Sequence, residues 1–83
     1  METGRWEEPV TFETAKLGQY RTISSTAEAA HILLSQWPNA TGKAYAEACD
    51  VCLAVLGGRE PPDAARQAFL LAADEADVFI RNG

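Results

Sequence analysis

The sequence predicts an α+β domain in which an N-terminal antiparallel β-hairpin precedes three helices, and it favours a short third strand at the C-terminal end. Two observations predict this class. Residues 9–14 and 20–24 are typical of strands, whereas three later segments repeat apolar side chains at the helical period. The 83 residues suffice for a single small domain, residues 1–83, and we expect its ordered core at about residues 6–80.

The hairpin is predicted from two segments near the N-terminus. Residues 9–14 alternate apolar and polar side chains, and residues 20–24 are rich in β-branched and aromatic side chains that suit a pleated surface. The loop between them contains Gly18, which adopts positive φ without steric cost. Three apolar side chains of the first strand share a parity and should face the helices: Trp6, Val10 and Phe12.

The first helix has a sequence signal at each end. Ser25 and Glu28 have the spacing of a capping box, in which the serine hydroxyl accepts from the Glu28 N–H and the glutamate reaches back to the Ser25 N–H. Pro38 disfavours helical geometry at Trp37, so the helix should end there. Four apolar residues at helical spacing are the expected buried stripe: Ala30, Leu33, Leu34 and Trp37.

The second helix also has both boundaries in the sequence. Thr41 is the expected N-cap, and Gly57-Gly58 is the expected left-handed stop. The apolar positions between them recur at helical spacing and predict one buried stripe: Tyr45, Ala48, Cys49, Cys52, Leu53 and Leu56. We therefore expect this helix to be central to the core, with Leu53 in the middle of its buried face.

The third helix should begin at Pro62, whose fixed φ suits a first helical position, and continue to about Ala76. Its inward face is expected to consist mainly of alanines, which allow close helix packing: Ala65, Phe69, Ala72, Ala73 and Ala76. The apolar segment Val78 to Ile80 favours a third strand, because an isolated two-stranded hairpin is only marginally stable.

Several of these landmarks together resemble a small bacterial family known as domain of unknown function 982. The resemblance lies in Pro9-Val10, Ile23-Ser24-Ser25 before Glu28-Ala29-Ala30, Trp37-Pro38, Gly42 with Tyr45 and Ala48, the cysteine and Gly57 that close helix two, and Ala65-Arg66 with Ala68-Phe69 and Ala72-Ala73 leading to Glu75-Ala76. It implies a compact α+β domain and carries over no activity, ligand or catalytic residue. Family members often have glycine where this chain has Asp77, a residue that tolerates left-handed backbone better than most.

The composition excludes several classes of function. The net charge is -5, and the seven basic residues are scattered, so the sequence predicts no nucleic-acid partner. The apolar runs are far shorter than the roughly 20 residues that cross a bilayer, so no membrane partner is expected. The first residues lack the pattern of a secretory signal, which predicts a cytoplasmic protein with reduced cysteines.

The residues that most often carry chemistry do not form a recognisable site in the sequence. Cys49 and Cys52 fall in the middle of a helix, on its apolar stripe, where cysteine behaves as a small hydrophobe. His31 is the only histidine, and the sequence provides too few ligands for a zinc site. We therefore expect no catalytic residue, no metal and no cofactor, although an enzyme that uses His31 or Cys49 in a shallow site remains a third hypothesis.

Two other features suggest contacts with partners. Leu70 and Leu71 flank the inward face of helix three and are the candidate interface, since a chain this short buries little of its surface and leaves a sheet edge open. The leading hypothesis is thus a small, non-enzymatic interaction or regulatory protein that forms a homodimer, with an unidentified protein partner also open.

The alternative is a module that binds a small molecule or an anion. The free N–H groups at the start of helix two could hold an anion beside Lys43. The residues of this candidate site are Trp37, Thr41, Gly42 and Lys43, with Trp6 and Tyr20 as further aromatics.

Overall fold

A three-stranded antiparallel sheet packed against three helices forms the fold of the computed structural model, which describes residues 4–14, 18–38 and 41–81. The elements are β1 (Arg5–Glu13), β2 (Tyr20–Ser25), α1 (Thr26–Ser35), α2 (Lys43–Leu56), α3 (Pro62–Glu75) and β3 (Ile80–Arg81). The strand order is β2-β1-β3, which confirms the hairpin and the third strand. The third strand is shorter than the predicted segment, because only Ile80 and Arg81 join the ladder.

The hairpin register places the predicted side chains on the face that the helices cover. β1 pairs with β2 from Val10↔Ile23 to Glu13↔Tyr20, and Gly18 has a φ of 79° as expected. Residues 15–17 of the predicted loop lie outside the described residues. Four buried apolar side chains form the inner face of the sheet: Trp6, Val10, Phe12 and Ile23.

The aromatic ring of Phe69 lies at the centre of the core. Its centroid is 6.1 Å from that of Trp6, 5.6 Å from that of Phe12 and 5.2 Å from that of Trp37. These three partners come from β1 and from the segment after α1, so a single side chain of α3 joins the sheet to the helical layer.

The predicted buried face of α1 is partly wrong. Leu33 is buried, but Leu34 is 72% exposed, and the helix ends at Ser35 rather than at Trp37. The residues that face the core are Thr26, Ala29, Ile32 and Leu33, with Ala30 and Trp37 half-buried. The side chain of Thr26 explains this rotation, because it bonds inward to the first strand.

Thr26 makes two side-chain hydrogen bonds in the core. Its hydroxyl donates to the carbonyl oxygen of Gly4 at 2.9 Å and accepts from the Nε1–H of Trp6 at 3.1 Å. These bonds satisfy the buried hydroxyl and the indole together, and they fix which face of α1 points at the sheet. Periodicity alone cannot reveal such a partner.

The capping box at the start of α1 is confirmed with one change of partner. The Ser25 hydroxyl accepts from the Glu28 N–H at 3.3 Å, as predicted. The Glu28 carboxylate accepts from the backbone N–H of Ser24 at 3.0 Å, one residue earlier than in the predicted box.

The predicted stripe of α2 is also rotated. Leu53 is 61% exposed and Leu56 is 40% exposed, whereas the buried positions are Ala48, Cys52 and Val55. Tyr45 and Cys49 are half-buried. The apolar arc of this helix is wider than the area that α1 and α3 cover, so its two leucines lie at the uncovered side.

The ends of α3 agree closely with the sequence. The helix begins at Pro62 and its buried residues are Ala65, Ala68, Phe69, Ala72 and Ala73. Ala76 is the half-buried C-cap rather than a residue of the buried face. Asp77 has a φ of 56°, and the Val78 N–H then donates to the carbonyl of Ala73, which turns the chain towards β3.

Candidate functional site

The start of α2 is capped by a side chain from the C-terminal end of α3. Thr41 is not the N-cap; that position belongs to Gly42, which has no side chain to accept a hydrogen bond. Instead, the carboxylate of Glu75 accepts from the N–H of Ala44 at 3.0 Å and from the N–H of Tyr45 at 3.2 Å. A negative group at this position is favoured by the positive end of the helix dipole.

This contact changes the interpretation of the candidate anion site. Thr41 and Lys43 are exposed and Gly42 is half-buried, but the N–H groups of the first turn already bind the Glu75 carboxylate. A Cβ atom on Gly42 would overlap an oxygen of that carboxylate, so the glycine makes room for it. An external anion would have to displace Glu75 from α2.

The predicted aromatic residues are not brought together at this helix end. Trp6 is buried in the core. Tyr20 lies in β2, where its ring is in edge contact with that of Phe79, with 6.3 Å between the ring centroids. Trp6 lines a small cavity of about 250 Å³, whereas Trp37 lines a larger one.

That cavity is an open cleft of about 630 Å³ at the end of the sheet. Its walls come from the end of the hairpin, from the segment after α1 and from the segment after α3. The lining residues are Phe12, Glu13, Thr14, Gln19, Gln36, Trp37, Pro38, Ala76, Asp77, Val78 and Phe79. We refer to it as the Trp37 cleft.

The Trp37 cleft combines aromatic and acidic side chains. Phe12, Trp37 and Phe79 contribute rings, and Glu13 and Asp77 contribute carboxylates. The Nε1 atom of Trp37 is buried and has no hydrogen-bond partner among the described residues. An unpaired buried donor costs free energy, so the position of this ring is maintained by its packing on Phe69.

A comparison with protein-family models finds a match over residues 8–80, to the family described as protein of unknown function (DUF982). The chain belongs to the DUF982 family. The matched region begins within β1 and continues to the first residue of β3, so it includes the Trp37 cleft and the Glu75 cap. No curated protein and no solved structure matches this DUF982 chain.

The two free cysteines of this DUF982 chain differ in burial. Cys52 is buried, and burial, together with the neighbouring Cys49, raises the pKa of its thiol to about 11. Cys49 is half-buried, and the pKa of the Tyr45 hydroxyl is raised by burial and by the neighbouring Cys49 thiol. A thiol with a raised pKa is a poor nucleophile at neutral pH.

The described part of the chain has neither a cluster of metal-binding side chains nor a helix that could span a membrane. His31 is exposed on α1, and within residues 4–14, 18–38 and 41–81 no three His, Cys, Asp or Glu side chains are grouped to hold a metal ion. Among the same residues, no helix has the length and apolar character needed to cross a membrane.

The two leucines of the candidate interface differ in exposure. Leu71 is 64% exposed on α3, whereas Leu70 is half-buried and packs against the core. Leu71 is therefore the more accessible of the pair. β2 pairs with only one strand in the described sheet, so its other edge is a second candidate contact.

Sequence reasoning did not find the aromatic group on the outer face of the sheet. The rings of Tyr20 and Phe79 are in edge contact, and the guanidinium of Arg81 lies 5.4 Å from the centroid of the Tyr20 ring. Phe79 and Arg81 are two residues apart, and side chains two positions apart in a strand lie on the same face of the sheet. This spacing was the signal in the sequence that could have predicted the group.

Proposed function

We propose that this DUF982 chain is a small, non-enzymatic interaction or regulatory protein that acts in the cytoplasm as a homodimer. The observation that carries the proposal is the exposure of Leu71, an apolar side chain on α3 that is 64% exposed. The free cysteines fit a reducing compartment, and the net charge of -5 disfavours nucleic acid as the partner.

The surroundings of Leu71 fit the anatomy of an interface. Gln67 and Asp74 are exposed on the same side of α3, one turn before and one turn after the leucine. An apolar centre with a polar rim is the usual arrangement in protein contacts. A two-fold axis near Leu71 would bring the same residue of both copies together, as closed dimers require.

The net charge of the chain leads to an expectation about salt. Each copy of the chain carries a net charge of -5, and like charges repel. Salt screens charges at the surface, so the dimer should become tighter as the ionic strength rises. A contact dominated by opposite charges would respond in the opposite direction.

Light scattering after size exclusion tests the proposal. The wild-type protein should have about twice the chain mass of 9.0 kDa at micromolar concentration, and Leu71→Glu should shift it to the monomer. Leu34→Glu is the matched control, because this leucine is 72% exposed on a different helix and should leave the dimer intact.

Each other outcome overturns a stated part of the proposal. A wild-type monomer at high micromolar concentration would contradict self-association itself. A dimer that survives Leu71→Glu would contradict the contact through α3 and assign it to the open edge of β2, where backbone pairing does not depend on one side chain.

A further inference from the structure

We propose that the Trp37 cleft binds a small organic cation, an ammonium group carried on an apolar body. The site is independent of the proposed dimer. The inference rests on three features that converge on the cleft: the ends of two helices, two carboxylates and three aromatic side chains.

The first feature is the direction of the helices. α1 ends at Ser35 and α3 ends at Glu75, and the residues that line the cleft come directly after both ends. The C-terminus of a helix carries a partial negative charge, which stabilises a nearby cation. Neither helix has a basic residue in its last turn, so these two helices do not themselves place a cation at their ends.

The second feature is the charge of the walls. Glu13 comes from the end of β1 and Asp77 from the turn after α3. The lining residues of the described chain contain no lysine and no arginine. Arg81, the cation of β3, lies instead over the ring of Tyr20. The charged side chains among the described lining residues are thus of one sign, and a concave site of that kind concentrates ligands of the opposite sign.

The third feature is the shape and chemistry of the walls. Cavities of roughly 300 to 1,000 Å³ accommodate small organic ligands, and this cleft is about 630 Å³. The rings of Phe12 and Trp37 pack on Phe69, so they form a preorganised apolar wall, while Phe79 is exposed at the surface. The faces of aromatic rings attract cations, and their surface buries an apolar body.

These features also argue against an anion in the same place. Glu13 and Asp77 would repel it, and the C-terminal ends of α1 and α3 carry a partial negative charge. The N-terminus of α2, the other candidate for an anion, is occupied by Glu75. The geometry therefore selects a cation among charged ligands.

Three ligands with the same body test this selection: 2-phenylethylammonium, 2-phenylethanol and 3-phenylpropanoate. Titrations are followed by the indole N–H signals of Trp37 and Trp6 in NMR spectra. Trp6 is the internal reference, because its N–H is bonded to Thr26 in the core. The cation should shift the Trp37 signal and bind about fivefold more tightly than the alcohol, and the carboxylate should bind weakest.

Substitutions that remove charge without changing the backbone locate the site. Asp77→Asn keeps a residue that tolerates the φ of 56°, and Glu13→Gln keeps an oxygen that can accept from the Gly18 N–H. Each should weaken binding of the cation by about two- to fivefold and leave binding of the alcohol unchanged. Asp50→Asn and Glu47→Gln, on the exposed side of α2, are the matched controls and should have no effect.

The proposal is overturned if none of the three ligands shifts the Trp37 signal at millimolar concentration. It is also overturned if the alcohol or the carboxylate binds as tightly as the cation. Equal effects of Asp77→Asn and Asp50→Asn would show that the net charge of the protein, rather than the cleft, attracts the ligand.

Discussion

Glu75 caps α2 through Ala44, whose backbone N–H donates to the glutamate Oε2 at 3.0 Å. The two residues are 31 positions apart, and the contact joins the last residue of α3 to the first turn of α2. Because the second carboxylate oxygen accepts from Tyr45, one side chain satisfies two N–H groups that a helix leaves unpaired. The same carboxylate occupies the space beside Gly42 that a Cβ atom would need.

This arrangement predicts that substitutions of Glu75 and Gly42 have non-additive effects on the free energy of unfolding. Glu75→Ala should lower the free energy of unfolding by about 1 kcal/mol, because it removes the cap. Gly42→Ala should have a similar cost, since its methyl group would displace the carboxylate. The double variant should cost little more than either change alone, which urea denaturation can measure.

Asp74→Ala is the control for the loss of a negative charge at the end of α3, and it should change stability by less than about 0.5 kcal/mol. Additive costs in the Glu75→Ala, Gly42→Ala double variant would contradict the coupling.

Two adjacent leucines of α1 should respond very differently to truncation. Leu33→Ala should cost about 2 to 5 kcal/mol, because it leaves a cavity in the core. Leu34→Ala should cost less than about 0.5 kcal/mol, because Leu34 is largely exposed. Thermal unfolding of both variants measures the difference.

Leu53→Ala extends this comparison to α2. The sequence interpretation predicts a large cost there, but the exposure of Leu53 now predicts a small one, provided that Leu53 is not part of a dimer contact. A large loss of stability for Leu53→Ala in the monomeric Leu71→Glu background would contradict its placement at the surface.

Cys52 should resist thiol reagents until the protein unfolds. Its side chain is buried and its pKa is raised to about 11, so both access and the thiolate fraction are low at neutral pH. In a Cys49→Ala variant, which isolates this thiol, labelling should be slow in the native protein and fast in denaturant. Rapid labelling of the native variant would contradict the burial of Cys52.

The capping interaction of Glu28 should make stability depend on pH. The N–H of Ser24 and the nearby hydroxyls hold the pKa of this carboxyl below its ordinary value of 4.5. A lowered folded-state pKa means that the stabilisation is complete above pH 4.5 and is lost as the pH falls through the lowered value.

The comparison of Glu28→Gln with the wild type tests this dependence. The variant should melt at a lower temperature at neutral pH, and the difference should shrink in acid as the wild-type carboxylate becomes protonated. Glu47→Gln, on the exposed side of α2, is the control and should show no such convergence. A difference in melting temperature between Glu28→Gln and the wild type that stays constant with pH would contradict a role for the Glu28 charge.

The sequence by itself determined the features that depend on neighbours in the chain. The Ser25 cap, the left-handed Gly58 after α2 and the start of α3 at Pro62 all involve residues a few positions apart. The inward side chains Trp6, Val10 and Phe12 also follow from local rules, because strand side chains alternate strictly between two faces.

The tertiary structure alone decided which side of each helix is buried and what lies at its ends. An apolar arc on α1 or α2 is wide enough to be rotated. The hydrogen bond between Thr26 and Trp6 of β1 settles the position of the arc on α1, and the width of the covered area settles it on α2. The Glu75 cap and the Trp37 cleft join segments that are far apart in the chain. Periodicity shows that a face is apolar, but only the packing of distant segments determines which part of that face loses contact with water.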